Sequence, residues 1–438
     1  MEQDTAVVTL AAADAASIAA FVAEHYQGEP PWLTQARHQA GTLAATAALP
    51  QRAKSALRAR RWEDAPVLAE GVPAVPAAPR DGIRITRGGY RSTPLPAAWT
   101  AAGVLCWNLA DAVRRAPELV RQYLGQALAA EPVGDGAVGT EGAKFAALNA
   151  ALWQHGVFLY VPPRVQLTEP VTVEYCIEDS AVTLYPRTLL IADRESQVRV
   201  IERYVSQEPE GAARRLLSAV VEVFAGEGAR VEYNAIQDLG PSVDAVVHRA
   251  ARVARDGQMS WNLGEFGAGV LAGRQFTALE GPGAEGRTTV VFFGNRAQQQ
   301  EYTAITEHAA AHSQSDLFAR GVMNGRARSA VTAVTHIRRG ARGSHARQRE
   351  ETLMLSPTAR AEAVPSLLID EHDVFAAHAA SAGPVEESTL HYLMSRGLPE
   401  IEAVRLVVHG FLAPVIDRLP QDAVRDLVWE RVERKIRE

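Results

Sequence analysis

EGARVEY (residues 227–233) is followed at a constant interval by DGQMSWN (256–262) and EGRTTVV (285–291). The glycines at the second position of these segments lie 29 residues apart. Each glycine belongs to a turn at the start of a short β-rich run, and a fixed spacing of short strands indicates a repeat architecture. A parallel β-solenoid fits this spacing best, because each coil stacks on the next and alternate side chains fill a narrow interior.

β-rich runs of the same kind extend through the middle of the chain, roughly from Gly156 to Ser381, where helical periodicity is lost. A β-sandwich is the competing interpretation, but sandwiches favour hairpin dipeptides such as Asn-Gly, and one such dipeptide occurs, at Asn324–Gly325. We therefore predict a mainly β fold in which residues 151–385 form a parallel β-helix core.

Helical regions are predicted on both sides of this core. Residues 1–150 form the N-terminal region, with helices up to about residue 62, a Pro-rich connector (64–80) and one helix from Asn108 to Ala130 capped by Asn108. Residues 386–438 form the C-terminal region, in which Gly397 ends the first helix. Its predicted helices span residues 386–396, 399–413 and 421–437.

Composition narrows the class of protein. The net charge of −6 argues against a nucleic-acid binder, which needs a basic face. Cys106 and Cys176, with no CxxC motif, form neither a disulfide framework nor a zinc site, and they are too few for the four thiolates of a stable iron–sulfur cluster. The acidic N-terminus lacks the basic region of a signal peptide, and no apolar run is long enough for a membrane span. We expect a cytoplasmic protein.

Two motifs suggest chemistry only weakly. Glu307, His308 and His312 lie close in sequence, but the acid precedes the first histidine, unlike the HExxH zinc motif. GEFGAGVLAGR (264–274) is one residue off the dinucleotide fingerprint and lies within the β repeat. With no GxxxxGK[ST] motif in the chain, ATP use is expected to come from a partner.

The acids near the end of the core suggest a β-helix carbohydrate-active enzyme, which needs carboxylates gathered in one groove. Solvated turn residues are the simpler interpretation of this cluster, and a purely structural solenoid is a further alternative. The acids concerned are Asp370, Glu371, Asp373 and Glu387.

DVFAAHAAS (373–381) places His378 on a strand at the end of the core, between small residues that allow another backbone or a ligand to approach closely. From these residues alone, a structural histidine packed beneath the C-terminal helices is the preferred interpretation.

Four segments in order resemble the SufB/SufD family of the SUF iron–sulfur cluster assembly machinery. The two most specific begin with KFAALNAALWQHGVFLYVPP (144–163) and LLIDEHDVFAAHAAS (367–381). WNLADAVRRAPELVRQYLG (107–125) and the stretch from 312 to 370 are also similar.

This resemblance implies a right-handed parallel β-helix between two helical regions and a non-catalytic scaffold role. It also implies a complex of one SufB, one SufD and two copies of the ATPase SufC, with SufB and SufD paired through their β-helix ends. His378 matches the histidine implicated in cluster assembly at that interface, where we expect it to contact a transient iron–sulfur cluster shared with SufB, with no cluster bound stably. A homodimer is a further expectation for the isolated chain.

Departures from the family pattern favour the SufD branch. His378 is followed by Ala379, where SufB carries a glutamate, and SPTARAEAVP (356–365) lacks the SufB cysteine. Ala376 stands where many SufD sequences have a cysteine, which leaves His378 as the one metal-binding side chain of this strand.

The C-terminal helices are implied to dock SufC. A helical segment this short presents more apolar surface than it can bury alone. The residues assigned to this contact are Leu390, Tyr392, Leu393, Arg396, Leu406 and Phe411.

Overall fold

A solenoid of short strands forms the centre of the computed structural model, which describes residues 7–49, 61–69, 76–131, 143–178 and 182–438. The first strands are β1 (Val7–Thr9), β2 (Pro66–Ala69), β3 (Ile83–Thr86), β4 (Gly89–Ser92), β5 (Leu105–Asn108), β6 (Gly156–Val161), β7 (Val171–Ile177), β8 (Thr183–Leu184) and β9 (Arg187–Ala192). The long coils contain β10 (Gln197–Ser206), β11 (Arg215–Ala225), β12 (Arg230–Asp238), β13 (Val243–Val253), β14 (Gln258–Glu265), β15 (Val270–Leu279) and β16 (Glu285–Gly294). The last coils contain β17 (Gln299–His308), β18 (Gln314–Met323), β19 (Arg328–Ile337), β20 (Ser344–Met354), β21 (Arg360–Ile369) and β22 (Val374–Pro384).

Two ten-stranded sheets make up the solenoid, and from β9 onward the chain alternates between them. Even-numbered strands then lie in one sheet and odd-numbered strands in the other, and each strand pairs in parallel with the strand one coil away. Antiparallel pairing, which a sandwich needs, is confined within the described solenoid to its start, at β3–β4 and β5–β6. The predicted parallel solenoid is confirmed.

Every second residue of a strand fills the solenoid interior. One column runs in register through Val200, Tyr233, Trp261, Thr288 and Leu317, all of them buried. Full burial of one large apolar side chain contributes about 1.5–3 kcal/mol, so stacked columns of this kind stabilise each coil against the next. The same register fixes which residues face inward at the end of the solenoid.

Helices cover the outer faces of both sheets. The N-terminal helices α4–α6 pack on the odd-numbered sheet, and α9 and α10 pack on the even-numbered sheet. The helices are α1 (Ala15–His25), α2 (Pro31–Thr46), α3 (Ala97–Ala101), α4 (Leu109–Arg115), α5 (Pro117–Tyr123), α6 (Gln126–Ala129), α7 (Ala143–Leu152), α8 (Glu387–Ser395), α9 (Glu400–Ile416) and α10 (Asp422–Arg437). Among the described residues, none of these helices is long and apolar enough to cross a membrane.

The prediction of one helix from Asn108 to Ala130 is wrong, because the chain forms three short helices there. Pro117 pushes Ala116 out of the helical region, to φ −139° and ψ 56°. Gly125 then takes a left-handed conformation with φ 85°. The predicted cap is confirmed: the Asn108 side chain accepts a hydrogen bond from the Ala110 N–H at 3.4 Å.

The region before residue 100 is less helical than predicted. β1 and β2 pair with each other, so the described part of the connector at 66–69 is a strand. The connector's residues 70–75, and residues 50–60 of the predicted N-terminal helices, lie outside the described ranges. Pro31 begins α2, where the missing proline N–H removes no hydrogen bond from the helix.

The C-terminal helices follow the predicted order. Gly397 has φ 92° and follows α8, which suits a left-handed helix end. α9 continues beyond the predicted end, through Pro414 to Ile416. Side chains such as Leu412 and Val428 are fully buried against the even-numbered sheet, whereas α8 has no buried residue. Two of the three helices are therefore anchored on the solenoid, and the first stands away from it.

Candidate functional site

The last coil leaves one end of the solenoid open. β21 and β22 are the terminal strands of the two sheets, and each pairs on one side only. Unpaired N–H and C=O groups therefore line both strands along their outer edges. These two edges, together with the inward-facing residues of the last coil, are called the open end below.

His378 lies at the open end. It is opposite Gln348 in the β20–β22 register, so its side chain shares the inward face with the buried Gln348. Because no coil covers β22, His378 is exposed, and its inward-facing neighbours Ala376 and Ala380 leave space around it. The interpretation of His378 as packed beneath the C-terminal helices is wrong.

Two buried polar residues of β20 lie one layer below His378. Gln348 donates from its Nε2 to the Thr335 hydroxyl at 2.7 Å, which leaves its Oε1 without a donor. Glu350 is 2% exposed, and neither of its carboxylate oxygens accepts a hydrogen bond from any described residue. Burial raises the pKa of Glu350 to about 7.

Sequence reasoning missed Gln348 and Glu350, although ARQRE (346–350) carries a signal. Polar residues alternate there with arginines, and in a strand this alternation places Gln348 and Glu350 on one face and Arg347 and Arg349 on the other. In the structure the two arginines are exposed and the other two side chains are buried. A charged residue at a position predicted to face the solenoid interior is therefore the sequence signal for such a site.

Each of the two terminal strands contains a proline whose nitrogen lies on the unpaired edge of the strand. Asp370 N–H donates to Ile337 C=O at 2.8 Å, and Val385 N–H donates to Met354 C=O at 3.0 Å. Alternate N–H groups point to opposite edges of a strand, so the even-numbered residues of β21 and the odd-numbered residues of β22 donate to the preceding coil. Pro365 in β21 is odd-numbered and Pro384 in β22 is even-numbered. Their nitrogens therefore lie on the unpaired edges, and neither proline removes a hydrogen bond from the sheets.

Apolar side chains flank the open edges. Val364, Ile369 and Phe375 are each exposed by about 45%. Phe375 lies 5.8 Å from the His345 ring, and the Arg347 guanidinium stands 5.7 Å from its centroid. Exposed apolar groups beside unpaired strands are typical of a surface that another protein covers.

Exposed apolar side chains also occur on the C-terminal helices. Tyr392, Met394, Ile401 and Leu406 are 44–56% exposed and point to more than one side of their helices; the exposed surface of α8 and α9 that includes them is called the α8–α9 face below. Two of these residues, Tyr392 and Leu406, were assigned to partner binding from the sequence. Met394 and Ile401 were missed, although both are apolar residues of the same short segment.

The other residues assigned to that contact are less exposed. Leu390 and Leu393 are half-buried, and Arg396 is exposed with its guanidinium 5.1 Å from the Tyr392 ring. Phe411 is half-buried and packs toward the solenoid, where the Arg320 guanidinium lies 5.0 Å from its ring. Phe411 is thus placed to anchor α9 on the sheet.

The two cysteines lie far from the open end, on β5 and β7 at the start of the solenoid. Both are buried, and burial raises the pKa of Cys106 to about 12 and also raises that of Cys176. A thiol is a nucleophile or metal ligand only as its thiolate, so both positions disfavour metal binding.

The weaker sequence candidates are engaged in structural contacts. His308 is buried, with its two ring nitrogens each 2.8 Å from a serine hydroxyl, Ser313 and Ser315. Glu307 faces the opposite side of β17 and pairs with Arg338 at 2.6 Å. No group of three or more His, Cys, Asp or Glu side chains is placed to hold a metal within the described ranges.

The acids before the C-terminal region are turn residues. Asp370 pairs with His336 at 2.9 Å. Glu371 accepts hydrogen bonds from the Gly340 and His372 N–H groups at 2.9 and 2.8 Å. These contacts give the two carboxylates structural roles.

Two family models and several known proteins match this chain. The SufBD core domain of SUF-system iron–sulfur cluster assembly matches residues 175–411, and the SufBD N-terminal region matches residues 75–173. The iron–sulfur cluster assembly protein SufD of Bacillus subtilis is 38% identical over 338 residues, which cover 76% of this chain and 74% of that protein. A SufBD family protein of Staphylococcus epidermidis is 30% identical over 320 residues, covering 73% of this chain and 66% of the relative.

Proposed function

This chain belongs to the SufB/SufD family of SUF-system iron–sulfur cluster assembly proteins, and from that premise we propose that it is a scaffold subunit that pairs with SufB and docks SufC. It is a SufD-type protein by its similarity to the Bacillus subtilis SufD. In this proposal the chain catalyses no reaction itself, and ATP hydrolysis comes from SufC.

The open end is the observation that supports SufB as a partner. Its two strands, of 10 and 11 residues, are the last strands of the two sheets, and each has one unpaired edge. A matching pair of edges on another solenoid would continue both sheets through main-chain hydrogen bonds. The exposed Val364, Ile369 and Phe375 would be covered by the same contact.

His378 would then lie inside the junction of the two proteins. An imidazole is a good ligand for iron, but a cluster usually takes four protein ligands, and β22 has Ala376 where a cysteine would add one. We therefore propose that SufB supplies most ligands of a cluster that is transient and shared. Iron and sulfur are the cargo of this site, and the chain retains no cluster of its own.

The α8–α9 face is the proposed contact for SufC. α8 has no buried residue and packs mainly against α9, while α9 is fixed on the solenoid by its buried side. An ATPase bound to α8 and α9 would be mechanically connected to the even-numbered sheet, which ends at β22. Movement of SufC could in this way reach the open end.

Co-expression with SufB and SufC from the same organism tests the proposal. We expect a complex of one SufB, this chain and two SufC to elute from a size-exclusion column. Val364→Lys with Phe375→Lys should abolish SufB binding, because it places two charges beside the paired edges. Leu43→Lys, an equally exposed apolar residue on α2, is the matched control and should bind normally.

Two results would contradict the proposal. Wild-type protein that binds neither SufB nor SufC would remove it and favour a purely structural solenoid. An edge variant that still pairs with SufB at wild-type affinity would place the SufB contact elsewhere.

A further inference from the structure

Three buried oxygen atoms next to the open end have no hydrogen-bond donor among the described residues. They are Gln348 Oε1 and both carboxylate oxygens of Glu350. A buried acceptor without a partner costs about 1–3 kcal/mol, and more when it is charged. Three such acceptors lie on neighbouring inward positions of one strand, where a cation or a hydrogen-bond donor would satisfy them.

No arginine or lysine of β20 supplies that charge. Arg347 and Arg349 extend from the outer face, and Arg349 Nε pairs there with Glu351 at 2.6 Å. The amide nitrogen of Gln348 is already committed to Thr335, so Gln348 presents its oxygen to the site. The inward face of this strand is thus an acceptor surface.

His378 supplies a nitrogen ligand above these oxygens. It stands opposite Gln348 in the β20–β22 register, so the two backbones are about 4.8 Å apart. Glu350 is two residues along the same strand, about 7 Å from Gln348. Side chains of this length can converge on one ion from these three positions.

We propose that Glu350, Gln348 Oε1 and the His378 imidazole form a binding site for a divalent first-row transition metal. One carboxylate, one amide oxygen and one imidazole are ligands that suit Fe²⁺, Mn²⁺, Co²⁺ or Zn²⁺, and they leave coordination positions open toward the end of the solenoid. That the physiological ion is ferrous iron rests on the proposed function, whereas the site itself rests on the unpaired oxygens.

This site differs from the interface cluster proposed above, because it needs no sulfur and no ligand from SufB. It would hold an iron ion on this chain before a cluster forms. Ala380, which lies opposite Glu350, is small and adds little bulk between that buried carboxylate and the open end.

Titration of the isolated, tag-free, full-length chain with Co²⁺ at pH 8 tests the site. We expect one equivalent of Co²⁺ to bind, with visible absorption bands of a Co²⁺ ion held by nitrogen and oxygen ligands. Glu350→Ala and His378→Ala should each weaken binding at least tenfold. His391→Ala, which removes an exposed histidine of α8, is the matched control and should bind like the wild type.

Glu350→Gln shows whether any loss of binding comes from misfolding, because it keeps the shape of the side chain and removes its charge. It should also weaken Co²⁺ binding at least tenfold while its thermal unfolding remains cooperative. Wild-type affinity in Glu350→Gln and Glu350→Ala would overturn the site, as would a wild-type chain that binds no Co²⁺.

SufB binding, measured in parallel, separates the two proposals. A chain that pairs with SufB but binds no Co²⁺ would refute the metal site alone. A chain that binds Co²⁺ through Glu350 but never pairs with SufB would refute the scaffold proposal and leave the metal site standing.

Discussion

His378 and Gln348 stand directly opposite each other on the neighbouring parallel strands β22 and β20, so an exposed imidazole lies above a buried amide. The position of His378 is set by a regular ladder rather than by a loop. Its side chain forms no hydrogen bond within the described part of the chain. Chemistry at His378 can therefore be altered with little effect on the fold.

His378→Ala should leave the free energy of unfolding within about 0.5 kcal/mol of the wild type, as expected for an exposed residue. SufB and SufC should still co-elute with the variant, but iron–sulfur protein maturation in cells should fail. A maturation assay beside a pull-down makes the test. Normal maturation would exclude a chemical role, and loss of the complex would assign the residue a packing role.

Glu350→Gln should change the pH dependence of stability. The unfolded pKa is near 4.5 and the folded pKa about 7, so between these values the folded state binds a proton that the unfolded state has lost. Wild-type stability therefore falls as pH rises from 4.5 to 7, by up to about 3 kcal/mol from this group.

The stability of the Glu350→Gln variant should not fall in this way as pH rises, because the amide does not ionise. With EDTA present, it should match the wild type near pH 4.5 and exceed it at pH 8 by up to about 3 kcal/mol. Denaturant unfolding at the two pH values measures the difference. Equal stability at pH 8 would mean that Glu350 is solvated or paired.

Leu406→Asp should prevent SufC binding without weakening the fold, because this side chain is 51% exposed on the α8–α9 face. Leu43→Asp on α2 gives a control of equal exposure. Phe411→Asp is a different change: its ring packs near Arg320, so it should also lower stability by about 2 kcal/mol. Analytical gel filtration with SufC and thermal unfolding separate the two effects. If the Leu406→Asp variant binds SufC at wild-type affinity, the SufC docking site lies elsewhere.

Cys106→Ala with Cys176→Ala should retain both complex formation and cluster assembly. Both thiols are buried near the start of the solenoid, and alanine leaves no unpaired hydroxyl there. The cost should be about 1–2 kcal/mol of stability from two small cavities. Failure of cluster formation in an otherwise intact complex would contradict this.

The repeat was predictable because the glycine spacing approximates one coil of the solenoid, although the coils are not of one length: Gln197 pairs with Arg230 after 33 residues and Gln258 with Glu285 after 27. The helix from Asn108 to Ala130 was mispredicted because apolar periodicity continues across Pro117 and Gly125, whose backbone preferences break it. Local backbone chemistry outweighed the periodic pattern in that segment.

The site was only partly predictable. The family resemblance pointed to His378, but its exposure depends on β22 being the last strand, which no local pattern encodes. Glu350 was missed because its importance comes from unpaired oxygens, a property of the folded interior. Leu406 and Phe411 are both apolar residues of α9, and the sequence does not show which of them faces the sheet. In the structure Leu406 is exposed and Phe411 is half-buried.

The outward-facing nitrogens of Pro365 and Pro384 also determine what the open end can join. Strands about 33 Å long with unpaired edges are ordinarily a template for indiscriminate polymerisation. Here a strand that zips along β21 finds a donor missing at its midpoint, and one along β22 finds a donor missing at its end. A regular strand paired along either edge would leave one of its carbonyl groups without a donor, so the two prolines disfavour indiscriminate pairing along these edges.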